Sequence, residues 1–173
     1  MKKIGLFYAP KGGSTEKVAK MIEQKLGSEN VELIYVNQTK GSDLSKFDNL
    51  IIGSATVGND AWDGKHPKSA WDKFWPNLAS CNFSGKIVAL FGLGNQVMYA
   101  NNFVDSLGQF GTQIARNGGK LVGKVSGEGY DFNESEGFVD GMFLGLPLDE
   151  DTEDDKTEER LNNWLENIKN EFI

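Results

Sequence analysis

Residues 3–22 read KIGLFYAPKGGSTEKVAKMI, an apolar run that breaks into a glycine-rich turn and continues as a helix. Residues 4–8 are typical of a buried strand, and Val18, Ile22 and Leu26 follow helical spacing. The first amides of such a helix lack acceptors within the helix, and its dipole adds partial positive charge, so this end favours a phosphate group. Because the turn matches neither a Walker loop nor a dinucleotide fingerprint, the segment indicates either a phosphate site or a plain strand–turn–helix connection.

The composition restricts the class of protein. A length of 173 residues predicts one domain over residues 1–173, large enough to bury a full core. The net charge of −7 argues against nucleic acid or an anionic membrane as a partner. Cys81 is the only cysteine, which excludes an internal disulfide, and a single histidine makes a zinc site improbable. No signal-type or membrane-length apolar segment is present, so we expect a cytoplasmic protein without membrane insertion.

Predicted strands and helices alternate along the chain. Several strands, such as LIIG and IVALFG, are apolar at consecutive positions, which indicates that helices cover both faces of a parallel sheet. We therefore predict an α/β fold with a doubly wound five-stranded parallel sheet. The strands are predicted at 4–8, 31–36, 49–53, 87–92 and 120–124, with a candidate continuation at 142–146, and the helices at 15–26, 68–78, 100–117 and 156–171.

Three loops leave the carboxyl ends of the predicted strands, at residues 9–14, 54–67 and 93–99. In doubly wound sheets, ligands bind beyond these ends, where the winding direction reverses. The three loops are therefore the predicted ligand site. Residues 125–141, rich in glycine and acid, are predicted to be an inserted polar loop that splits the last strand.

Six segments, taken in order, carry a resemblance that extends over nearly the whole chain. They are KKIGLFY, LIIG, VALFGLGNQ with YANNF, GGKLVG, GYDFNES and GLPLDED. In these segments the sequence resembles the flavodoxins, and the insertion after Gly123 resembles their long-chain group, with cyanobacterial members closest. The resemblance implies a flavodoxin-like fold, noncovalently bound FMN, and low-potential one-electron transfer in place of a ferredoxin. It implies an electron carrier and not an enzyme.

By this resemblance, the first loop holds the FMN phosphate. Its predicted contacts are Pro10, Lys11, Gly12, Gly13, Ser14 and Thr15. The family usually has Ser/Thr-x-Thr-Gly-x-Thr here, so two hydroxyl groups are missing, at Pro10 and Gly12. Each lost neutral contact weakens binding by about 0.5–1.5 kcal/mol, which backbone amides and the helix dipole can tolerate. Lys11 is a candidate for added positive charge, and the alternative is that this turn no longer binds phosphate.

The second loop departs further from the family, which commonly has Thr-Trp here to cover one face of the flavin ring. In this chain Val57 follows Thr56, so either Val57 or Trp62 is predicted to cover that face. The pair Gly58 and Asn59 matches the peptide that flips on reduction in flavodoxins, so that its carbonyl accepts the hydrogen at flavin N5. Glycine makes such a flip inexpensive, although an ordinary turn would use the same pair.

The third loop keeps Tyr99, the residue that stacks on the outer flavin face in the family. The alternative for Tyr99 is an aromatic residue at a helix start. Asn95 stands where aspartate is common, and we predict that it hydrogen-bonds the pyrimidine edge without adding charge. Gly92, Leu93 and Gly94 complete the predicted contacts, since glycine lets the backbone approach the ring.

Eleven acidic residues lie between positions 128 and 155, with no lysine or arginine among them. They indicate either a solvated face or a docking surface for basic redox proteins. The resemblance implies ferredoxin-NADP reductase, photosystem I or ferredoxin-dependent reductases as partners of a monomer. Two alternatives remain open: a flavoenzyme on the same fold, such as a quinone reductase, and a degenerate interaction module without FMN. The acids are Glu128, Asp131, Glu134, Glu136, Asp140, Asp149, Glu150, Asp151, Glu153, Asp154 and Asp155.

Overall fold

A computed structural model describes residues 1–56 and 69–173 of the chain. Strands and helices alternate through most of this length. In chain order they are β1 (Ile4–Tyr8), α1 (Ser14–Leu26), β2 (Val31–Tyr35), a 3₁₀ turn (Val36–Gln38), α2 (Gly41–Leu44), β3 (Asn49–Ala55), α3 (Ala70–Ser80), β4 (Ile87–Leu93), α4 (Asp105–Arg116), β5 (Lys120–Val122), β6 (Val125–Ser126), β7 (Phe138–Val139), β8 (Met142–Phe143), β9 (Leu146–Leu148) and α5 (Asp154–Lys169).

The main sheet has the strand order β2-β1-β3-β4-β5, and neighbouring strands are parallel. Each of these five strands begins at the residue that the sequence predicts. The winding direction reverses between β1 and β3, so the two carboxyl ends there border an open crevice. The doubly wound α/β fold is confirmed.

Helices cover both faces of the sheet, as the consecutive apolar residues in the strands predict. On one face, α1 and α5 bury Ile22 and Trp164 against Leu6 and other strand residues. On the other face, α3 and α4 bury Trp71 and Phe110 in a second cluster. The two apolar layers hold the carboxyl ends of the strands at one edge of the molecule. No helix in the described part of the chain is long and apolar enough to span a membrane.

The last strand is split, but its continuation lies later than predicted. β5 pairs with the first half of β4, and Leu146–Leu148 pairs with the second half, from Phe91 to Leu93. The predicted continuation at 142–146 is therefore wrong in its bounds, because Met142–Phe143 belongs to a separate antiparallel sheet of order β6-β8-β7. Pro147 suits an edge strand because it has no N–H to donate on the open side. Its carbonyl accepts a hydrogen bond from the Tyr130 hydroxyl at 2.9 Å.

The insertion is more ordered than the predicted polar loop. It contains the short strands β6 and β7, which pair with β8 directly after it, and it contributes Phe132 and Phe138, whose ring centroids lie 5.1 Å and 4.9 Å from that of Phe143. Phe143 is fully buried. The pattern of glycine and acid concealed this aromatic cluster, because its members are spaced irregularly along the chain and meet only after the strands pair.

The helix predicted at 100–117 begins five residues later, at Asp105. Val104, which precedes it, has a φ of 48° in the left-handed region. A residue in this conformation cannot be part of a continuous right-handed helix, so the helix starts after it. The carbonyl of Ala100 instead accepts hydrogen bonds from the amides of Asn133 and Glu134, at 2.8 Å and 2.9 Å. Contact with the insertion therefore replaces the first turns of the predicted helix.

Gly53, near the carboxyl end of β3, has a neighbour that excludes any side chain. A Cβ atom added there would lie 2.0 Å from Cζ of Phe91, a fully buried ring that has no room to move. We expect Gly53→Ala to lower the free energy of unfolding by about 1–3 kcal/mol through overpacking. Urea denaturation monitored by circular dichroism measures the effect. Val97→Ala, which shortens a loop side chain that is 71% exposed, is the control, and equal midpoints for the two variants would contradict the prediction.

Candidate functional site

A cleft of about 230 Å³ opens at the carboxyl ends of β1, β3 and β4, beside the first turn of α1. Eight of the predicted site residues line it, namely Pro10, Ser14, Thr15, Thr56, Leu93, Gly94, Asn95 and Tyr99. Ala55, Glu150 and Asp151 also line it, and sequence reasoning missed all three as site residues. Glu150 and Asp151 follow β9, so a correct end for the split strand would have placed them at this edge.

The other predicted residues do not line the cleft or fall outside the described part. Val57, Gly58, Asn59 and Trp62 lie outside the residues that the structure describes. Gly92 packs toward α4, where an added Cβ atom would lie 3.0 Å from Leu107. Lys11, Gly12 and Gly13 belong to the turn between β1 and α1 without lining the cleft wall.

Thr15 is the most unusual polar residue of the cleft. Its side chain is 1% exposed, and among the described residues its Oγ1 atom has no hydrogen-bond partner. A buried hydroxyl without a partner costs about 1–3 kcal/mol, so native structures usually provide one from the protein, an ordered water or a ligand. The N-cap residue of α1, Gly13, also provides no side-chain cap. The first turn of α1 therefore presents unused donors to the cleft.

Glu16, in the first turn of α1, holds the preceding turn through a hydrogen bond. Its Oε2 atom accepts a hydrogen bond from the Gly12 amide at 2.6 Å, and its Oε1 atom pairs with Lys20 at 3.0 Å. These two interactions hold the pKa of Glu16 below its ordinary value. Gly12 itself has a φ of 84°, which glycine adopts without strain. The Lys11 ammonium, a candidate for charge in the cleft, lies over the ring of Tyr35, 5.6 Å from its centroid.

The end of β3 is tied to α4 by hydroxyl groups. Thr56 Oγ1 accepts a hydrogen bond from the Ser106 amide at 3.0 Å and donates to Ser106 Oγ at 3.1 Å. Ser54 Oγ donates to the same Ser106 oxygen at 2.9 Å. The Thr56 amide also donates to the carbonyl of Leu93 at 2.9 Å. These bonds fix the start of the second loop against the third.

Asn95 organises the third loop with both ends of its side-chain amide. Its Oδ1 atom accepts hydrogen bonds from the amides of Val97 and Met98, at 3.1 Å and 2.7 Å. Its Nδ2 atom donates to Asp151 at 3.1 Å. The Tyr99 amide donates to the Asn95 carbonyl at 2.9 Å, so this turn also sets the position of the half-buried Tyr99.

Asp149 joins the third loop to the segment after β9. Its side chain is fully buried and accepts the amides of Gln96, Asp151 and Thr152 at 3.0, 3.1 and 2.9 Å. The Thr152 hydroxyl donates to it at 2.6 Å. A buried carboxylate with four donors is well satisfied, and it places Asp151 beside Asn95.

The acidic segment therefore contains two kinds of residue. Asp149, Glu150 and Glu153 are buried or half-buried, and they accept hydrogen bonds within the fold. Glu150 also pairs with Lys17, which partly neutralises the wall of the cleft. The remaining eight acids are exposed. The prediction of a single solvated or docking face thus applies to these eight only.

The comparison with known proteins agrees with this geometry. The profile described as Flavodoxin matches residues 6–164. Flavodoxins from two Nostoc strains are each 42% identical over 171 residues, which cover 99% of this chain and 98% of theirs. That of Synechococcus elongatus is 41% identical over 173 residues, with 99% of each chain covered. The solved structure of Fusobacterium nucleatum flavodoxin bound to flavin mononucleotide has a TM-score of 0.90 at 31% identity, over 100% of both chains.

Proposed function

This chain belongs to the flavodoxin family, and on that premise we propose that it binds FMN and carries single electrons at low potential between redox proteins. Bound FMN would supply the electron chemistry, because a flavin accepts and releases one electron at a time. The chain supplies binding, orientation and electrostatic control. The two alternatives, a flavoenzyme and a module without FMN, have no specific support among the described residues.

The unpartnered hydroxyl of Thr15 carries the proposal. It is buried at the helix N-terminus, it lines the cleft, and a phosphate oxygen there would accept a hydrogen bond from it. The amides from Lys11 to Thr15 are the further donors that we propose for the phosphate, except that Gly12 already donates to Glu16. The site compensates for the missing hydroxyls at positions 10 and 12 with backbone donors and the helix dipole.

The other half of the cleft suits a flat ring. Tyr99 is half-buried in its wall, and Leu93, the last residue of β4, and Gly94, which follows it, also line the cleft. An aromatic side chain held by its own loop stacks on a planar ligand at low entropic cost. We propose that Tyr99 covers one face of the flavin ring and that Asn95 lies at the pyrimidine edge. Whether Val57 or Trp62 covers the opposite face, and whether the Gly58–Asn59 peptide flips, remain predictions on residues outside the described part.

Flavodoxins carry electrons to and from partner redox proteins. For this chain we propose basic partners, such as ferredoxin-NADP reductase, photosystem I or ferredoxin-dependent reductases, and a monomeric carrier of one domain in the cytoplasm. Support comes from the eight exposed acids of the 128–155 segment, since complementary charge accelerates encounter and weakens with salt.

Reconstitution tests the proposal directly. Apoprotein titrated with FMN should develop a bound-flavin absorption spectrum and quench the flavin fluorescence at one equivalent. A potentiometric titration should then resolve two one-electron steps. If the purified protein alters neither the absorption spectrum nor the fluorescence of added FMN, the proposal is wrong and the module without cofactor is favoured. Steady oxidation of NADPH by the loaded protein alone would favour the flavoenzyme.

Thr15→Val should separate FMN from riboflavin, because only FMN carries the phosphate. The substitution keeps the shape and removes the hydroxyl, so a hydrogen bond to a charged acceptor worth about 1.5–3 kcal/mol is lost. FMN affinity should fall about 10- to 150-fold, as measured by isothermal titration calorimetry, while riboflavin affinity stays within twofold. The apoprotein should become more stable, since the unpartnered hydroxyl is gone. Equal losses for both ligands would place the phosphate elsewhere.

Tyr99→Ala should weaken FMN and riboflavin by the same factor. Stacking of an aromatic residue on a base contributes about 1–3 kcal/mol, and the isoalloxazine ring is common to both ligands. Residual fluorescence of the bound flavin should increase, because a stacked tyrosine quenches it. Val97→Ala, in the same loop but 71% exposed, is the control and should leave both affinities unchanged. Unaltered quenching in Tyr99→Ala would show that this ring does not contact the flavin.

Asn95→Asp should make the more negative one-electron potential lower still. The fully reduced flavin is an anion, so an added carboxylate disfavours it, by up to about 3 kcal/mol before screening. The new carboxylate would also replace the amide that donates to Asp151, so it would stand beside a second carboxylate.

The double variant Asn95→Asp/Asp151→Asn is the control for that experiment. It keeps the number of charges and restores the hydrogen bond in the opposite direction, so its potential should return toward that of the wild-type protein. Potentiometric titrations in one buffer compare all three proteins. A raised or unchanged potential in the single variant would mean that position 95 does not face the ring.

A further inference from the structure

Four polar side chains form a cluster beside the third loop, outside the lining of the cleft. They are Gln96, Tyr130, Glu153 and Arg160, here named the Arg160 cluster. None of them lines the cleft. They come from three segments that are distant in sequence, namely the third loop, the insertion and α5 with its N-terminal flank.

Arg160 contacts the segment before α5 and the insertion. Its Nη1 atom pairs with Glu153 Oε2 at 2.7 Å, and the two side chains are only 15% and 16% exposed. Its Nη2 atom donates to the Gly129 carbonyl at 3.1 Å, and the guanidinium carbon lies 4.1 Å from the centroid of the Tyr130 ring. A planar guanidinium meets an acid, a carbonyl and an aromatic face at once, which an ammonium group does not.

Tyr130 stays protonated and Glu153 stays ionised at neutral pH. Burial raises the pKa of Tyr130 to about 12, against the opposing effect of Arg160, so the ring stays neutral under Arg160. Burial alone would raise the pKa of Glu153, but hydrogen bonds from Lys156, Gln96 and Arg160 lower it to about 2. The cluster therefore keeps its charges unchanged across the neutral range.

Gln96 transmits the position of these segments to the third loop. Gln96 is 3% exposed. Its Oε1 atom accepts a hydrogen bond from the backbone amide of Asp131 at 2.7 Å, and its backbone amide donates one to Asp149 at 3.0 Å. Asp131 follows Tyr130 directly, so the segment that Arg160 holds also holds Gln96. Asn95 precedes Gln96, and the Asn95 carbonyl receives the Tyr99 amide.

We infer that Arg160 is a positioning residue for the flavin ring, in addition to its role in the fold. By fastening residues 129–131 to Glu153, it fixes Gln96 and therefore the loop that presents Asn95 and Tyr99. This inference rests on the proposed function. It predicts that a side chain outside the cleft determines affinity for the ring and has no influence on affinity for the phosphate.

Arg160→Met tests the inference because it keeps an apolar stem and removes the guanidinium. Affinity for FMN and for riboflavin should fall by the same factor, about 2- to 30-fold, the range found for substitutions coupled to a ligand they do not touch. The affinity of the apoprotein for inorganic phosphate should not change. Hydrogen exchange in the apoprotein should accelerate at the amides of residues 96–99 and stay unchanged at residues 14–19. Arg160→Lys should recover only part of the loss, since it keeps charge without the planar contacts.

Lys156→Met is the matched control. Lys156 also pairs with Glu153, but its side chain is 47% exposed, and among the described residues it donates no hydrogen bond to Gly129 or Tyr130. Both ring affinities should stay unchanged in this variant. Glu153→Gln provides a second route to the same loss if Arg160→Met fails to fold.

Three results distinguish the possibilities. If wild-type protein binds no flavin, the proposed function fails, and the exchange rates at 96–99 still decide whether Arg160 positions the loop. If Arg160→Met lowers the melting temperature but leaves both ring affinities and the exchange at 96–99 unchanged, Arg160 only stabilises the fold, and the inference is wrong. If FMN weakens and riboflavin does not, the coupling runs to the phosphate end, which also overturns it.

Discussion

The carboxylate of Asp149 is fully buried and joins segments that would otherwise be independent walls of the cleft. It accepts the amide of Gln96 from the third loop, and it caps the segment after β9 through Thr152. Buried charge is tolerated only where donors surround it, so this carboxylate fixes the relative position of both walls. Asn95 and Asp151 meet across the gap because Asp149 has brought their backbones together.

Most polar groups around the cleft have hydrogen-bond partners within the protein, but one buried hydroxyl in its lining has none within the described part of the chain. Around it, the hydroxyls of Ser54, Thr56 and Ser106 bond one another, and Glu16 satisfies the amide of Gly12. In its lining, Thr15 keeps a buried hydroxyl without a partner among the described residues. Such an arrangement places the free-energy cost of an open donor where a ligand removes it. A preformed loop also loses little conformational entropy on binding, which favours affinity.

The acidic residues that line the cleft also have partners within the protein. Glu150 and Asp151 bring two carboxylates to the cleft wall, where an anionic ligand would be repelled. Lys17 pairs with Glu150, and the Asn95 amide donates to Asp151, so each carboxylate has a compensating partner on the protein. The other seven exposed acids of the 128–155 segment do not line the cleft. The field of exposed charges such as these falls off over about 8 Å in physiological salt.

The sequence by itself determined the α/β class and the start of all five strands of the parallel path β2-β1-β3-β4-β5, and it predicted the first loop as a place for an anion. These features depend on short windows, in which consecutive apolar residues, helical spacing and glycine act locally. It also indicated Pro10, Ser14, Thr15, Asn95 and Tyr99, which the structure brings to one cleft. Only the tertiary structure decided which acids enter the cleft, where the split strand resumes, and why α4 begins at Asp105. Each of these depends on contacts between residues far apart in sequence, such as Asn95 with Asp151 or Ala100 with Asn133. No local pattern encodes such contacts, because they form only once the sheet has brought distant loops to the same edge.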